Sequence, residues 1–190
     1  MFVKSTSKLV PCVTFTRCGN ILFHVFSTTD NKFVEFKNDR HYKKGEFLDD
    51  NDAPTIVPHF LTDDNTVRQA AKELLKTRPE PFGDAVAAVM LRNRNTTDII
   101  WYRVNNKGML KLFSNADPVD ITNKTEGDVY DGTLAEIYFS PISAITAVKN
   151  YLENVCNDII SEAAEREAKE QQDILRAKPF IDKINKAQEI

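Results

Sequence analysis

The sequence predicts an α+β protein that combines antiparallel sheet with a long C-terminal helix. Short apolar runs separated by turn residues dominate the first 61 residues, which is typical of strands joined by tight turns. An Asn-Asn-Lys-Gly turn separates two further extended runs in the middle of the chain and predicts a β-hairpin. From Pro141 onward, apolar residues recur at intervals of three and four, which is the period of an amphipathic helix.

Size and charge limit the class of protein. The chain has 190 residues, with 28 acids against 25 bases and a net charge of −3, which suits one large domain or two small ones. This mildly acidic balance is not typical of a nucleic-acid binder. No apolar run approaches the roughly 20 residues of a membrane span, and residues 1–10 lack a secretory signal pattern. We therefore expect a soluble protein made in the cytosol.

The first 61 residues are predicted to form an antiparallel β-meander. Apolar runs over 9–15, 21–27 and 33–36 give three strands, and the run over 55–61 gives a fourth. Both faces of the run over 21–27 are apolar, which favours an interior position in the sheet. Pro11 lacks a backbone N–H, so we expect its strand to lie near a sheet edge or a bulge.

A capped helix follows the meander. The polar segment 37–52 is interpreted as a solvated loop in which basic and acidic side chains offset one another. Thr62 to Asn65 offer side-chain acceptors for the first helical N–H groups, and an apolar stripe at spacings of three and four follows. Pro79 ends the helix, and we place a domain boundary after Gly83.

The middle of the chain is predicted to form a second, smaller α+β unit. Residues 84–91 favour a helix, although Val86, Val89 and Met90 also fit a buried strand. The runs over 99–104 and 109–113 form the hairpin. Further short strands are expected at 119–122 and 134–139.

The remaining residues are predicted to form one long helix with Pro141 in its first turn. From residue 161 to 173 charged residues surround alanines, so few apolar side chains can pack. Helix propensity and charge pairs four residues apart must therefore stabilise the helix there. Pro179 is expected to break or kink the helix. The predicted domains are therefore 1–83, 84–140 and a helical extension over 141–190. We predict that apolar residues of the extension bind neighbouring proteins: Ile142, Ile145, Val148, Leu152, Val155, Ile159, Ile181 and Ile184.

No pattern in the sequence predicts a catalytic or metal site. The three histidines, His24, His41 and His59, lack zinc spacing, and His24 is interpreted as a hydrogen-bonded sheet residue. The three cysteines are not spaced as a redox or zinc pair, and we interpret them as structural thiols. The glycine-rich phosphate loops are also missing. We therefore predict a non-enzymatic protein with no metal and no cofactor.

A short segment carries a resemblance. His59-Phe60-Leu61-Thr62-Asp63-Asp64, the following amphipathic helix and Pro81-Phe82-Gly83 span 25 residues. This order of strand, Thr-Asp-Asp cap, helix and Pro-x-Phe-Gly-like stop resembles small structural proteins of tailed-bacteriophage particles. The resemblance implies a neck, ring or auxiliary capsid protein that forms a homo-oligomer and contacts portal, capsid or tail components. It would be present in the host cytoplasm during assembly and afterwards in the virion.

An alternative from another class stays open. Trp101 can stack on bases, and the nearby Arg92, Arg94 and Arg103 can bind phosphates, which is the combination used by single-strand binders. With apolar neighbours around it, Trp101 fits hairpin core or a protein interface better. The alternative prediction is a soluble regulatory module that binds single-stranded nucleic acid.

Overall fold

The chain is an α+β protein, as the sequence predicts. The computed structural model describes residues 8–15, 21–34, 57–76, 85–93, 99–105, 107, 109–110, 119–129 and 135–188. The strands in this part are β1 (Leu9–Phe15), β2 (Ile21–Ser27), β3 (Lys32–Val34), β4 (His59–Phe60), β5 (Ala85–Asn93), β6 (Ile99–Asn105), β7 (Met109–Leu110), β8 (Val119–Asp120) and β9 (Ala135–Tyr138). The helices are α1 (Asp64–Lys76) and α2 (Pro141–Gln188).

The chain divides into two compact units, Met1–Glu153 and Asn154–Ile190. Helix α2 contributes its first turns to the first unit and the rest of its length to the second. The boundaries that the sequence predicts after Gly83 and after Ser140 stay predictions.

The first sheet is antiparallel, with the strand order β3-β2-β1-β4. Strand β2 is interior, which confirms the prediction from its two apolar faces. Strand β1 is interior as well, one strand in from the sheet edge that β4 forms, so Pro11 lies near an edge without being on it. The Pro11 carbonyl accepts a hydrogen bond from the Leu61 N–H at 2.8 Å. The proline nitrogen therefore faces the β4 side, so the hydrogen bonds between β1 and β2 lose no donor at Pro11.

Both faces of the central strands β1 and β2 carry buried residues. Val13, Phe23 and Val25 alternate with Cys12 and Phe26, and all five are buried. Strands buried on both faces read as continuous apolar runs rather than as alternating ones. This explains why β1 and β2 show little polar alternation in the sequence.

Helix α1 begins where the sequence predicts. The Asp63 carboxylate accepts a hydrogen bond from the Thr66 N–H at 2.8 Å, as an N-cap residue does. This bond to the charged form lowers the pKa of Asp63. The helix buries Val67, Ala70, Ala71 and Leu74 on its apolar stripe, as the spacing predicts. The end that Pro79 implies lies outside the described residues, as do the loop over 37–52 and the stop over 81–83.

The second sheet corrects the prediction for residues 84–91. It has the order β8-β7-β6-β5-β9, and residues 85–93 form strand β5 rather than a helix. The register pairs β5 with β6 from Ala85 to Arg92 and with β9 from Met90 to Asn93. A short apolar run is ambiguous by periodicity alone, and here pairing on both sides decides for a strand. The predicted hairpin is present, since β6 pairs antiparallel with β7.

Helix α2 also differs from the prediction. It continues through Pro179 to Gln188, so the expected break is wrong, whereas the expected kink stays a prediction. Proline has no N–H for the carbonyl four residues earlier, which here is that of Leu175. Leu175 is strongly exposed, so water can reach this part of the helix, and the neighbouring alanine and lysine favour helix.

Candidate protein-interaction surface

The start of α2 is fixed by a local cap. The Ser140 hydroxyl accepts a hydrogen bond from the Ser143 N–H at 3.1 Å and lies 2.7 Å from the Ser143 hydroxyl. Pro141 occupies the first helical position, where it needs no donor. The sequence prediction for this helix start is confirmed.

Three of the predicted interaction residues are core residues. Ile145, Val148 and Leu152 have no exposed surface, so they stabilise the first unit and offer nothing to a partner. Val155 and Ile159 are partly buried. Apolar spacing alone cannot separate a helix face that packs within its own subunit from one that faces another chain, because both have the same period.

Ile142 lies in a shallow groove between the first turns of α1 and α2. The groove has a volume of about 230 Å³ and is lined by Thr62, Asp63, Asp64, Val67, Arg68, Ile142, Thr146 and Lys149. Half of the Ile142 surface is exposed. Lys149 pairs with Glu153 at 3.1 Å, and Asp63 is engaged as the cap of α1. The groove therefore combines apolar side chains, Val67 and Ile142, with charged side chains of both signs.

The later part of α2 is exposed on all sides. Every residue from 161 to 185 is exposed, and five of them are large apolar residues: Ile174, Leu175, Phe180, Ile181 and Ile184. Ile160, directly before this segment, is also exposed. We call the apolar residues from Ile160 to Ile184 the α2 surface. Ile181 and Ile184 were predicted, whereas Ile160, Ile174, Leu175 and Phe180 were missed, although their spacing was readable in the sequence.

In the described part of the chain, contacts within the helix support this exposed segment. Arg166 lies 3.9 Å from Glu162, and Arg176 lies 3.9 Å from Asp173. Such solvent-exposed pairs contribute about 0.3–0.5 kcal/mol each. Apolar side chains that remain exposed on a helix with so little other support are typical of a surface that binds another protein.

His24 is structural, as the sequence interpretation holds. Its Nε2 atom lies 3.1 Å from the hydroxyl of Thr14, a fully buried residue, and its ring packs on Phe33 with centroids 5.0 Å apart. Burial lowers the pKa of His24 to about 4. His24 is therefore neutral at pH 7 and enclosed by the sheet. His59 packs against Phe15, and His41 lies outside the described residues.

The residues of the nucleic-acid alternative are only partly placed. The register pairs Met90 with Trp101 and Arg92 with Ile99. Because successive residues of a strand alternate between faces, Arg92, Trp101 and Arg103 occupy positions on one face of the second sheet. Arg94 lies outside the described residues.

Within the described ranges, no group of three or more histidine, cysteine or acidic residues could hold a metal ion. Among the helices in that part of the chain, none combines the length and the apolar character that crossing a membrane requires. Comparisons with protein-family models, with curated proteins and with solved structures found no match.

Proposed function

We propose that this chain is a non-enzymatic structural or assembly protein of a tailed-bacteriophage particle. It binds neighbouring virion proteins, such as portal, capsid or tail components, through the α2 surface and through sheet edges. The exposed helical segment over 161–185 carries the proposal, because its apolar residues have no cover in the described part of the chain. The resemblance of residues 59–83 to small phage structural proteins supplies the kind of particle.

The physical basis of the proposal is the cost of leaving the α2 surface in water. Burying a large aliphatic or aromatic side chain gains about 1.5–3 kcal/mol. Amphipathic helices that dock into grooves use anchors at this spacing. Ile174, Ile181 and Ile184 would be such anchors.

Short outer strands give a second means of contact. In the described part of the first sheet, the outer strands are β3 and β4, with three and two residues. Outer strands leave unpaired N–H and C=O groups that can pair with another chain. We assign them a secondary role because so few residues are involved.

The proposal is tested with purified particles and with their isolated components. The protein should be found by electron microscopy at a defined position in the particle, and the tagged full chain should capture portal, capsid or tail proteins. Replacing both Ile181 and Ile184 by aspartate should reduce this capture at least tenfold, because two anchors become charged. The matched control, Gln172→Asp, changes an exposed polar residue of the same helix and should leave capture unchanged. Absence from the particle together with no binding to its components would contradict the proposal.

The common face of Arg92, Trp101 and Arg103 favours one second candidate, a module that binds single-stranded nucleic acid. Its affinity for an oligonucleotide should be greatest at low salt, because released counterions supply most of the binding free energy. Arg92→Ala and Arg103→Ala should each weaken binding and flatten the salt dependence, whereas Arg68→Ala on α1 should not. Undetectable binding at low salt excludes this candidate.

A further inference from the structure

Part of the α2 surface follows a heptad pattern, which we call the heptad stripe. Starting at Ile160, positions at alternating intervals of three and four are Ile160, Ala163, Glu167, Glu170, Ile174, Ala177, Ile181 and Ile184. Four are isoleucines, each of them exposed. The pattern spans 25 residues, about 38 Å of helix, which is near the three to four heptads that indicate a coiled coil.

The charges of this segment are separated along its length. Residues 158–173 have six acids and two bases, a net charge of −4. Residues 174–185 have three bases and one acid, a net charge of +2. The helix therefore has an acidic half followed by a basic half, each carrying part of the apolar stripe.

We infer that the heptad stripe of the α2 surface binds the same stripe of a second copy of this chain in an antiparallel coiled coil. In that arrangement the acidic half of each helix lies against the basic half of the other. Aligning Ile160 with Ile184 of the second copy also places Ala163 opposite Ile181, Glu167 opposite Ala177 and Glu170 opposite Ile174. Each glutamate of the stripe then faces an apolar residue and lies close to Lys178 or Arg176 of the second copy.

The parallel alternative is disfavoured by the same residues. An in-register parallel pair would place Glu167 and Glu170 against their own counterparts at the centre of the interface, where like charges are destabilising. It would also align the two acidic halves. Charge complementarity therefore favours a second copy of the chain as the partner and an antiparallel orientation of its helix.

This inference makes a second copy of the chain the first partner of Ile174, Ile181 and Ile184, so virion proteins would contact the resulting pair of helices. It rests on the proposed function only in treating the α2 surface as an assembly site. Sedimentation equilibrium on the isolated full chain measures it without a phage particle. We expect a dimer. A chain that stays monomeric at its highest soluble concentration, or that forms a trimer, overturns the inference, whereas particle binding would be unaffected by that result.

One pair of substitutions tests whether the apolar stripe forms the interface. Ile181→Asp should weaken dimerisation at least tenfold, because it puts a charge into the stripe. Leu175→Asp is the matched control, since Leu175 is a comparably exposed apolar residue on the same helix but lies outside the heptad positions. Helix content, followed by circular dichroism, should change equally in both variants. Equal weakening of the dimer by both substitutions overturns the assignment of the interface.

A charge-reversal cycle tests whether the two helices of the dimer run antiparallel. Glu167→Lys and Lys178→Glu should each weaken the antiparallel dimer several-fold, and the double variant should recover most of the original affinity. In a parallel dimer the two positions are 11 residues apart along the axis, about 16 Å, which exceeds the screening length of about 8 Å at physiological salt. If the double variant loses as much dimerisation free energy as the two single variants together, the antiparallel arrangement is overturned.

Discussion

The first sheet and the exposed segment of α2 are both regular secondary structure, yet they are stabilised in different ways. In the sheet, residues such as Val13 and Val25 are completely buried, and tertiary packing supplies the stability. Over 161–185 every residue is exposed, and the support seen among the described residues is helix propensity and local charge pairs. The comparison teaches that aliphatic side chains stabilise the fold in one region and are available for binding in the other.

The largest expected difference comes from truncating one leucine in each region. Leu61→Ala removes a fully buried side chain beside the first sheet and should lower the free energy of unfolding by about 2–5 kcal/mol. Leu175→Ala, on the exposed helix, should change it by less than about 0.5 kcal/mol. Urea unfolding followed by the fluorescence of the single tryptophan, Trp101, measures both. Equal effects would remove the contrast between the two regions.

Pro179→Ala should stabilise the exposed helix. Proline inside a helix is about 3 kcal/mol less favourable than alanine, and no described packing on this segment offsets that cost. Hydrogen exchange of the amides around residues 175–185 should slow, while exchange in β1 and β2 stays unchanged. Ala168→Gly is the control with the opposite sign. It should lower the local stability of the helix by about 1 kcal/mol and therefore speed exchange of the nearby amides. Unchanged exchange in the proline variant would mean that something other than propensity holds the helix.

Acid should destabilise the first sheet through His24. Its pKa is lowered to about 4 by burial, below the ordinary value of about 6.5, so the unfolded chain binds the proton more readily. The contribution of neutral His24 to the free energy of unfolding is therefore fully present above pH 6.5 and is lost as the pH falls toward 4. Between pH 7 and pH 5 the loss should be about 2 kcal/mol.

The variant His24→Gln keeps a partner for the Thr14 hydroxyl and removes the titration. Its unfolding free energy, measured with urea at pH 7 and at pH 5, should change little between the two conditions. A loss as large as that of the unsubstituted protein would assign the acid sensitivity to other groups.

The smallest expected effect is that of a surface ion pair. Lys76 lies 2.7 Å from Glu73 in the last turn of α1, and its side chain is 69% exposed. Lys76→Ala should lower stability by no more than about 0.5 kcal/mol, and added salt should abolish the difference. A loss comparable with that of Leu61→Ala would show that surface charge, rather than burial, dominates the first unit.

Local signals in the sequence predicted much of the fold. The Asp63 cap, the stripe of α1, the Ser140-Pro141 start of α2 and the hairpin of β6 and β7 depend on residues close together in the chain. Strand β5 was mistaken for a helix because its apolar residues suit either structure. Its pairing with β6 and β9 decided the outcome, and that pairing involves residues up to Tyr138.

The candidate surface was predicted in part for the same reason. The spacing from Ile142 to Ile184 marked one apolar side of a helix, but it did not distinguish Leu152, which is buried, from Ile181, which is exposed.

By itself the sequence determined the α+β class, the caps and the existence of a long amphipathic helix, because these follow from periodicity and short-range hydrogen bonding. Only the tertiary structure decided which strands neighbour each other and where along α2 burial ends. Sheet pairing and burial depend on residues far apart in the chain, whose contact free energies must exceed the entropy lost in bringing them together. That balance is a property of the folded unit and not of any local run of residues.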